Sequence, residues 1–171
     1  MINRPKVTDT LSKLVEKRLN SQKMYWSPEV DFDKGTPKYK RIDYVGFKPY
    51  TPDYEVEATS VELGDFVCYE VKSCMQDFES GNGLTFYGDH NYLVCTLELA
   101  EQLQNEIKIP SQINGVLVPN KSLTSLYLKF NFGINPESHR RRTASEMLWE
   151  IVKSHDRLKR LDKEALNLKE K

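Results

Sequence analysis

The chain has little with which to build a soft-metal site. Its 171 residues include only three cysteines, Cys68, Cys74 and Cys95, and no C-x-x-C pair, while His90, His139 and His155 stand far apart. These counts argue against a zinc site and a disulfide framework, and leave buried free thiols as the better reading. Net charge is missing too, since 25 basic residues balance 25 acidic ones. A nucleic-acid partner would therefore have to be met by a local basic patch, because no global field exists to attract it. No stretch approaches the ~20 apolar residues of a membrane span, so no membrane partner is expected. The opening MINRPKVTDT lacks the apolar core of a secretory signal, and a cytoplasmic location is the expectation.

What is present reads as one globular domain over residues 1–171, with 39% hydrophobic and 29% charged residues. Val7 to Gln22 predicts a helix, with Thr8 or Asp9 as cap and Leu11, Leu14, Val15 and Leu19 on one stripe. Strands are expected at Met24 to Phe32, where Pro28 marks an edge or bulge, and at Tyr39 to Phe47. The segment YEVEA alternates like a half-exposed strand. Phe66 to Ser73 is apolar on both faces and reads as a central strand. Gln76 to Tyr87 is irregular and glycine-bearing, with Gly88 allowing a turn before a further central strand at Asn91 to Leu97. A helix to Lys108, strands at 115–119 and 123–132, and a long C-terminal helix opened by the capping box Thr143 to Glu146 follow. The order predicts an α/β sandwich, a central mixed β-sheet flanked by helices. Met147, Ile151, Ser154, Leu158, Leu161, Ala165 and Leu168 keep a four–three spacing. The tail at 155–171 is thereby left either to pack on a partner, a second copy included, or to lie in solvent.

Acid-x-Lys occurs twice, in Glu70-Val71-Lys72 and in Glu106-Ile107-Lys108. The second falls at a helix end, where side chains two apart do not share a face. The first falls at the end of a central strand, where period two sets Glu70 and Lys72 on one face and Val71 on the other. An ion pair at a strand end is one reading. The other is chemical: phosphodiester cleavage needs charge neutralised on phosphorus and a water made nucleophilic, which a hard divalent cation held by carboxylates supplies. A neighbouring lysine orients the water or stabilises developing charge. At a strand end beside solvent, Lys72 is expected to add little to the core. Three acids upstream are candidates to join Glu70. Asp65 has the wrong parity, Asp53 sits in a proline-broken connection, and Asp43 lies mid-strand among apolar neighbours and is the best choice.

RIDYVGFKP followed by GDFVCYEVKSCMQDFESGNGLTFYGDHNYLVC resembles the PD-(D/E)XK nuclease superfamily over roughly residues 39–96. In particular it resembles small nucleases of bacteriophages and prophages in Gram-positive bacteria. The resemblance implies a restriction-endonuclease-like fold and a metal-dependent nuclease, with host-cell cytoplasm as the location. It implies Mg²⁺ or Mn²⁺ held by Asp43, Glu70 and the Val71 carbonyl, with Lys72 as catalytic lysine and Glu16 as a first-helix acid completing the metal site. Two departures stand out: isoleucine, not proline, precedes Asp43, and the segment between the two acids is expected to carry an extra strand pair. Arg140, Arg141 and Arg142 with Lys129 and Lys153 form the dense basic cluster, for which contact with DNA phosphates and simple solvation compete. Two functions follow: a nuclease acting on DNA, or a non-catalytic relative serving as a nucleic-acid-binding or protein-interaction module, such as a phage protein directed at a host defence.

Overall fold

Residues that are apolar on both faces can be buried only between two layers, and the sheet of this protein is arranged accordingly. The computed structural model describes residues 4–52, 54–55 and 57–169. Helix α1 (Arg4–Ser21) leads into strands β1 (Tyr25–Phe32) and β2 (Lys40–Lys48), short helix α2 (Ala58–Glu62) and strand β3 (Asp65–Lys72). Helix α3 (Met75–Glu79), strand β4 (His90–Cys95), helix α4 (Leu97–Asn105), strands β5 (Gly115–Pro119) and β6 (Leu126–Asn131), and helix α5 (Ala144–Lys169) follow. The described strands make one six-stranded sheet in chain order. β1, β2 and β3 pair antiparallel, β3, β4 and β5 parallel, and β6 antiparallel to β5. The fold is the expected α/β sandwich on a mixed sheet, with a long C-terminal helix.

One face carries Tyr44, Val67, Tyr69, Val71, Val94 and Leu117, and α1 covers it with Leu11, Leu14, Val15 and Leu19. At Gly46 the helix comes so close that an added Cβ would lie 2.6 Å from Leu19. The opposite face is shared. α5 sets Ala144, Met147 and Ile151 over Val30, Phe32, Ile42, Val45, Phe47, Phe66 and Cys68. α4, with Phe78 of α3 and Phe86, covers Leu93, Cys95, Val116 and Val118. Cys68 and Cys95 are buried free thiols, and burial pushes Cys95 up to about 12. Among the described residues no helix is long and apolar enough to cross a membrane.

Several local expectations change. α1 begins at Arg4, with Pro5 in the first turn where a missing N–H costs nothing. Thr8 and Asp9 are therefore helical residues, and Asp9 pairs with Lys13 at 2.7 Å. The YEVEA segment is not a strand in its described residues, because β2 pairs directly with β3 and leaves no edge for one between them. Among the described residues no extra strand pair separates the two acids; α2 lies there instead. α5 packs on β1 as far as Arg157, which reaches Asp31 and the Glu29 carbonyl (2.9 Å), whereas Leu161 is exposed. Pro28 does sit on an edge strand, β1.

Gly88 has a reason other than turn flexibility. A Cβ there would stand 2.6 Å from the Phe66 carbonyl oxygen and 2.8 Å from that of His90, so backbone would have to move. Gly88→Ala should destabilise the protein by about 1–3 kcal/mol or more, read as a lower urea midpoint with an unchanged m-value.

Candidate active site

The site begins where β2 and β3 part. Their ladder runs from Lys48↔Asp65 to Tyr44↔Tyr69, and the next β2 residue is Asp43. Its Oδ2 accepts the Val71 N–H at 2.8 Å, so a carboxylate takes a hydrogen bond that the end of the ladder leaves open. Glu70 follows on β3, paired in parallel with Leu93 of β4. It is fully buried, between the apolar clusters under α5 and under α4. Oε1 of Glu70 accepts the Thr85 N–H at 3.1 Å, while its buried Oε2 receives no hydrogen bond.

The loop from Gly81 to Thr85 closes over this notch. Gly83 has φ +69°, and the Cβ it lacks would sit 3.0 Å from Glu70 Oε2, 3.6 Å from Lys72 Nζ and 4.0 Å from Asp43 Oδ1. Both acids and the lysine thus reach toward one small space that glycine leaves open. Lys72 is not the solvent-side residue expected from its strand-end position. It is 4% exposed, donates to the Asn82 carbonyl and lies 3.9 Å from Asp77. Sequence reasoning missed this loop's role, although the G-N-G triplet shortly after Glu70-Val71-Lys72 was a visible signal.

Burial, first, and the Asp43 charge, second, hold Glu70 well above the ordinary carboxyl range. Burial also raises Asp43, against the Val71 N–H and Lys72, which favour its charge. Two ionised carboxylates have no donor to offer each other. A proton shared with Asp43 or a cation would satisfy Oε2, and oxygen ligands of this kind suit a hard divalent ion. The residues present therefore fit Mg²⁺ or Mn²⁺.

The remaining candidates divide. Glu16 lines the same cavity, which has a volume of about 1120 Å³ and also contains Asp43, Val71 and Lys72 on its walls. Its Oε1 accepts the Tyr44 hydroxyl at 3.0 Å. Among the described residues no group of three or more His, Cys, Asp and Glu side chains is gathered as a cation cluster; Glu16 shares the cavity with Asp43. Asp65 is exposed and near His90, and Asp53 lies outside the described residues. Arg140, Arg141 and Arg142 do not line the cavity. Arg140 donates to the Glu62 carbonyl at 2.8 Å and lies over the Phe66 ring. Arg141 donates to the Glu137 carbonyl at 3.1 Å. Arg142 bonds the Asp33 carboxylate and stands 5.0 Å from the Tyr87 ring centre. They fasten the approach to α5.

A raised folded-state pKa on Glu70 has a definite sign. Its contribution to stability is whole below the ordinary value of 4.5 and is lost as pH rises through the raised value. Melting temperature of the metal-free protein should fall with pH across that window, and Glu70→Gln should flatten the decline. Mn²⁺ should raise the melting temperature most at the high-pH end, where binding need not displace a proton, and Asp43→Ala should abolish that gain. An undiminished Mn²⁺ shift in Asp43→Ala would place the ion elsewhere.

No protein-family model matches the chain, and no curated protein matches it. Among solved structures it is similar to the SPO1766 protein of unknown function from Silicibacter pomeroyi, with a TM-score of 0.59, 14% identity and 91% of each chain covered. That similarity extends to the fold of the whole sandwich.

Proposed function

We propose that this protein is a metal-dependent nuclease that hydrolyses phosphodiester bonds, with DNA as the substrate the resemblance to PD-(D/E)XK enzymes implies. The observation that carries the reading is Glu70 Oε2, a buried carboxylate oxygen without a donor, beside Asp43 and Lys72 around the space that Gly83 leaves open. A purely structural ion pair has no need of the second acid.

In this reading Asp43 and Glu70 hold Mg²⁺ or Mn²⁺, with the Val71 carbonyl as a further ligand and Glu16 across the cavity. The bound ion supplies charge neutralisation at phosphorus and a water of lowered pKa. The chain's own groups do the rest. The N–H groups of Val71 and Thr85 aim the two carboxylates, as outer partners of metal ligands commonly do. Lys72, held by the Asn82 carbonyl, keeps its ammonium beside the site, where it can stabilise charge developing on the phosphate. The apolar layers under α4 and α5 exclude water from behind Glu70, which strengthens each of these interactions. The second reading, a protein-interaction module, draws on Trp149 and Val152, which α5 leaves 60% and 47% exposed.

Incubation with plasmid and single-stranded DNA in Mg²⁺ or Mn²⁺ tests the proposal. Cleavage should require the ion and Asp43. Lys72→Met, which keeps the buried volume and removes the charge, should slow turnover by about two orders of magnitude or more. If pure protein cleaves neither DNA nor RNA, or if Lys72→Met cleaves as fast as the original chain, the interaction module is the better account.

A further inference from the structure

The basic groups that do line the cavity come from an unexpected place. The turn between β1 and β2 and the start of β2 read DKGTPKYKR, residues 33–41. Asp33 is engaged by Arg142, and Lys34 pairs with Asp31 at 3.1 Å. Lys38, Lys40 and Arg41 are exposed, and Lys40 and Arg41 line the cavity wall. Arg41 has an exposed partner 3.8 Å away in Glu29, a pairing that contributes little in water.

Between these cations stands Tyr39, also on the cavity wall and 44% exposed. Its hydroxyl donates to Asp31 at 2.7 Å, and Asp31 is buried and bonded to Arg157. Burial alone would raise the Asp31 carboxyl, but the bonds from Tyr39, Arg157 and Lys34 outweigh it and hold it low. The ring is thus tethered at its polar end while its apolar body is presented to the cavity. A tethered aromatic flanked by cations is the arrangement on which unpaired bases stack while their phosphates are neutralised.

Size and charge narrow the occupant. At about 1120 Å³ the cavity is close to the ~300–1,000 Å³ of ordinary small-ligand pockets, room for a nucleotide or two and too small for a duplex. Asp9 and Glu16 of α1 form another wall, and Glu29 and Asp77 line the cavity as well, so the exposed cations Lys40 and Arg41 beside Tyr39 mark the favourable path for a polyanion. We propose that the cavity takes single-stranded nucleic acid, with a base stacked on Tyr39 and backbone phosphates on Lys38, Lys40 and Arg41. This names the substrate class of the phosphodiesterase reading and rests on that reading only for the reaction.

The test is binding of a fluorescein-labelled mixed-sequence oligodeoxynucleotide to the full chain by anisotropy, in Ca²⁺ in place of Mg²⁺. The single strand should bind at least about tenfold tighter than its blunt duplex. Tyr39→Leu should weaken single-strand binding by about 5- to 100-fold. Tyr39→Phe loses the same hydroxyl but keeps the ring, and should stay within a few-fold of the original chain. Replacing Lys38, Lys40 and Arg41 together by alanine should reduce the slope of log affinity against log salt by about 2, the release expected from three phosphates on a single strand. Arg141→Ala should leave that slope unchanged. An oligoribonucleotide arm separates RNA from DNA, and tight binding of either single strand supports the inference. Duplex binding as tight as single-strand binding would overturn it, as would Tyr39→Leu and the triple variant both binding like the original chain. A single-strand preference without cleavage in Mg²⁺ or Mn²⁺ would sink the nuclease reading alone, whereas cleavage without that preference would sink only this one.

Discussion

Burying a carboxylate is among the most expensive things a fold can do, and this protein does it at Glu70, inside the sheet and next to a second acid. The isolated charge would cost several kcal/mol after relaxation, so everything around it can be read as compensation. The Thr85 N–H takes one oxygen, Lys72 supplies a nearby positive charge, and Asp43 is drawn to the Val71 N–H. One oxygen is still left over. Packing could have removed the difficulty by placing a leucine there, as the neighbouring positions Cys68 and Leu93 show. Retaining the acid obliges the chain to arrange its surroundings around that one oxygen.

That requirement explains features of the fold that packing alone does not. β2 and β3 stop pairing where Asp43 needs its side chain. The 81–85 loop approaches so closely that a Cβ at 83 would stand 3.0 Å from Glu70 Oε2, at a φ of +69° that favours glycine. Lys72 is buried under the same loop and not displayed to solvent. All of them surround the same few ångströms.

Much of this was legible in the sequence because strand parity is a strict rule. Period two was enough to separate Glu70 and Lys72 from Val71, and an acid among apolar neighbours at Asp43 announced itself. The layers followed from residues apolar on both faces of β3 and β4. What was hidden depended on partners distant in sequence. Arg142 looks like a free cation until Asp33, 109 residues away, closes on it. Tyr39, Lys40 and Arg41 read as the start of an ordinary strand, since nothing local says that Asp31 and Arg157 will tether the tyrosine at the cavity wall. The burial of Lys72 was missed for the same reason: the loop that covers it looks irregular, and its docking is a tertiary event. The 54–58 segment alternates in the right rhythm for a strand, yet its described residues join no sheet edge, a case of tertiary context overriding a local pattern.

The clasp between α5 and β1 has a bearing on how the protein comes into being. Arg157 and Ser154 secure Asp31 and the Glu29 carbonyl across 125 or more residues. A chain emerging from the ribosome can form α1 and much of the sheet before those two residues exist, since domains assemble from the N-terminal side during synthesis. Over that interval the apolar face beneath α5 is uncovered, and Asp31 has Lys34 but not yet Arg157 as a cationic partner. α5 therefore acts as the latch of the sandwich, and the cavity wall at Tyr39 acquires its final shape only once that helix has emerged and docked.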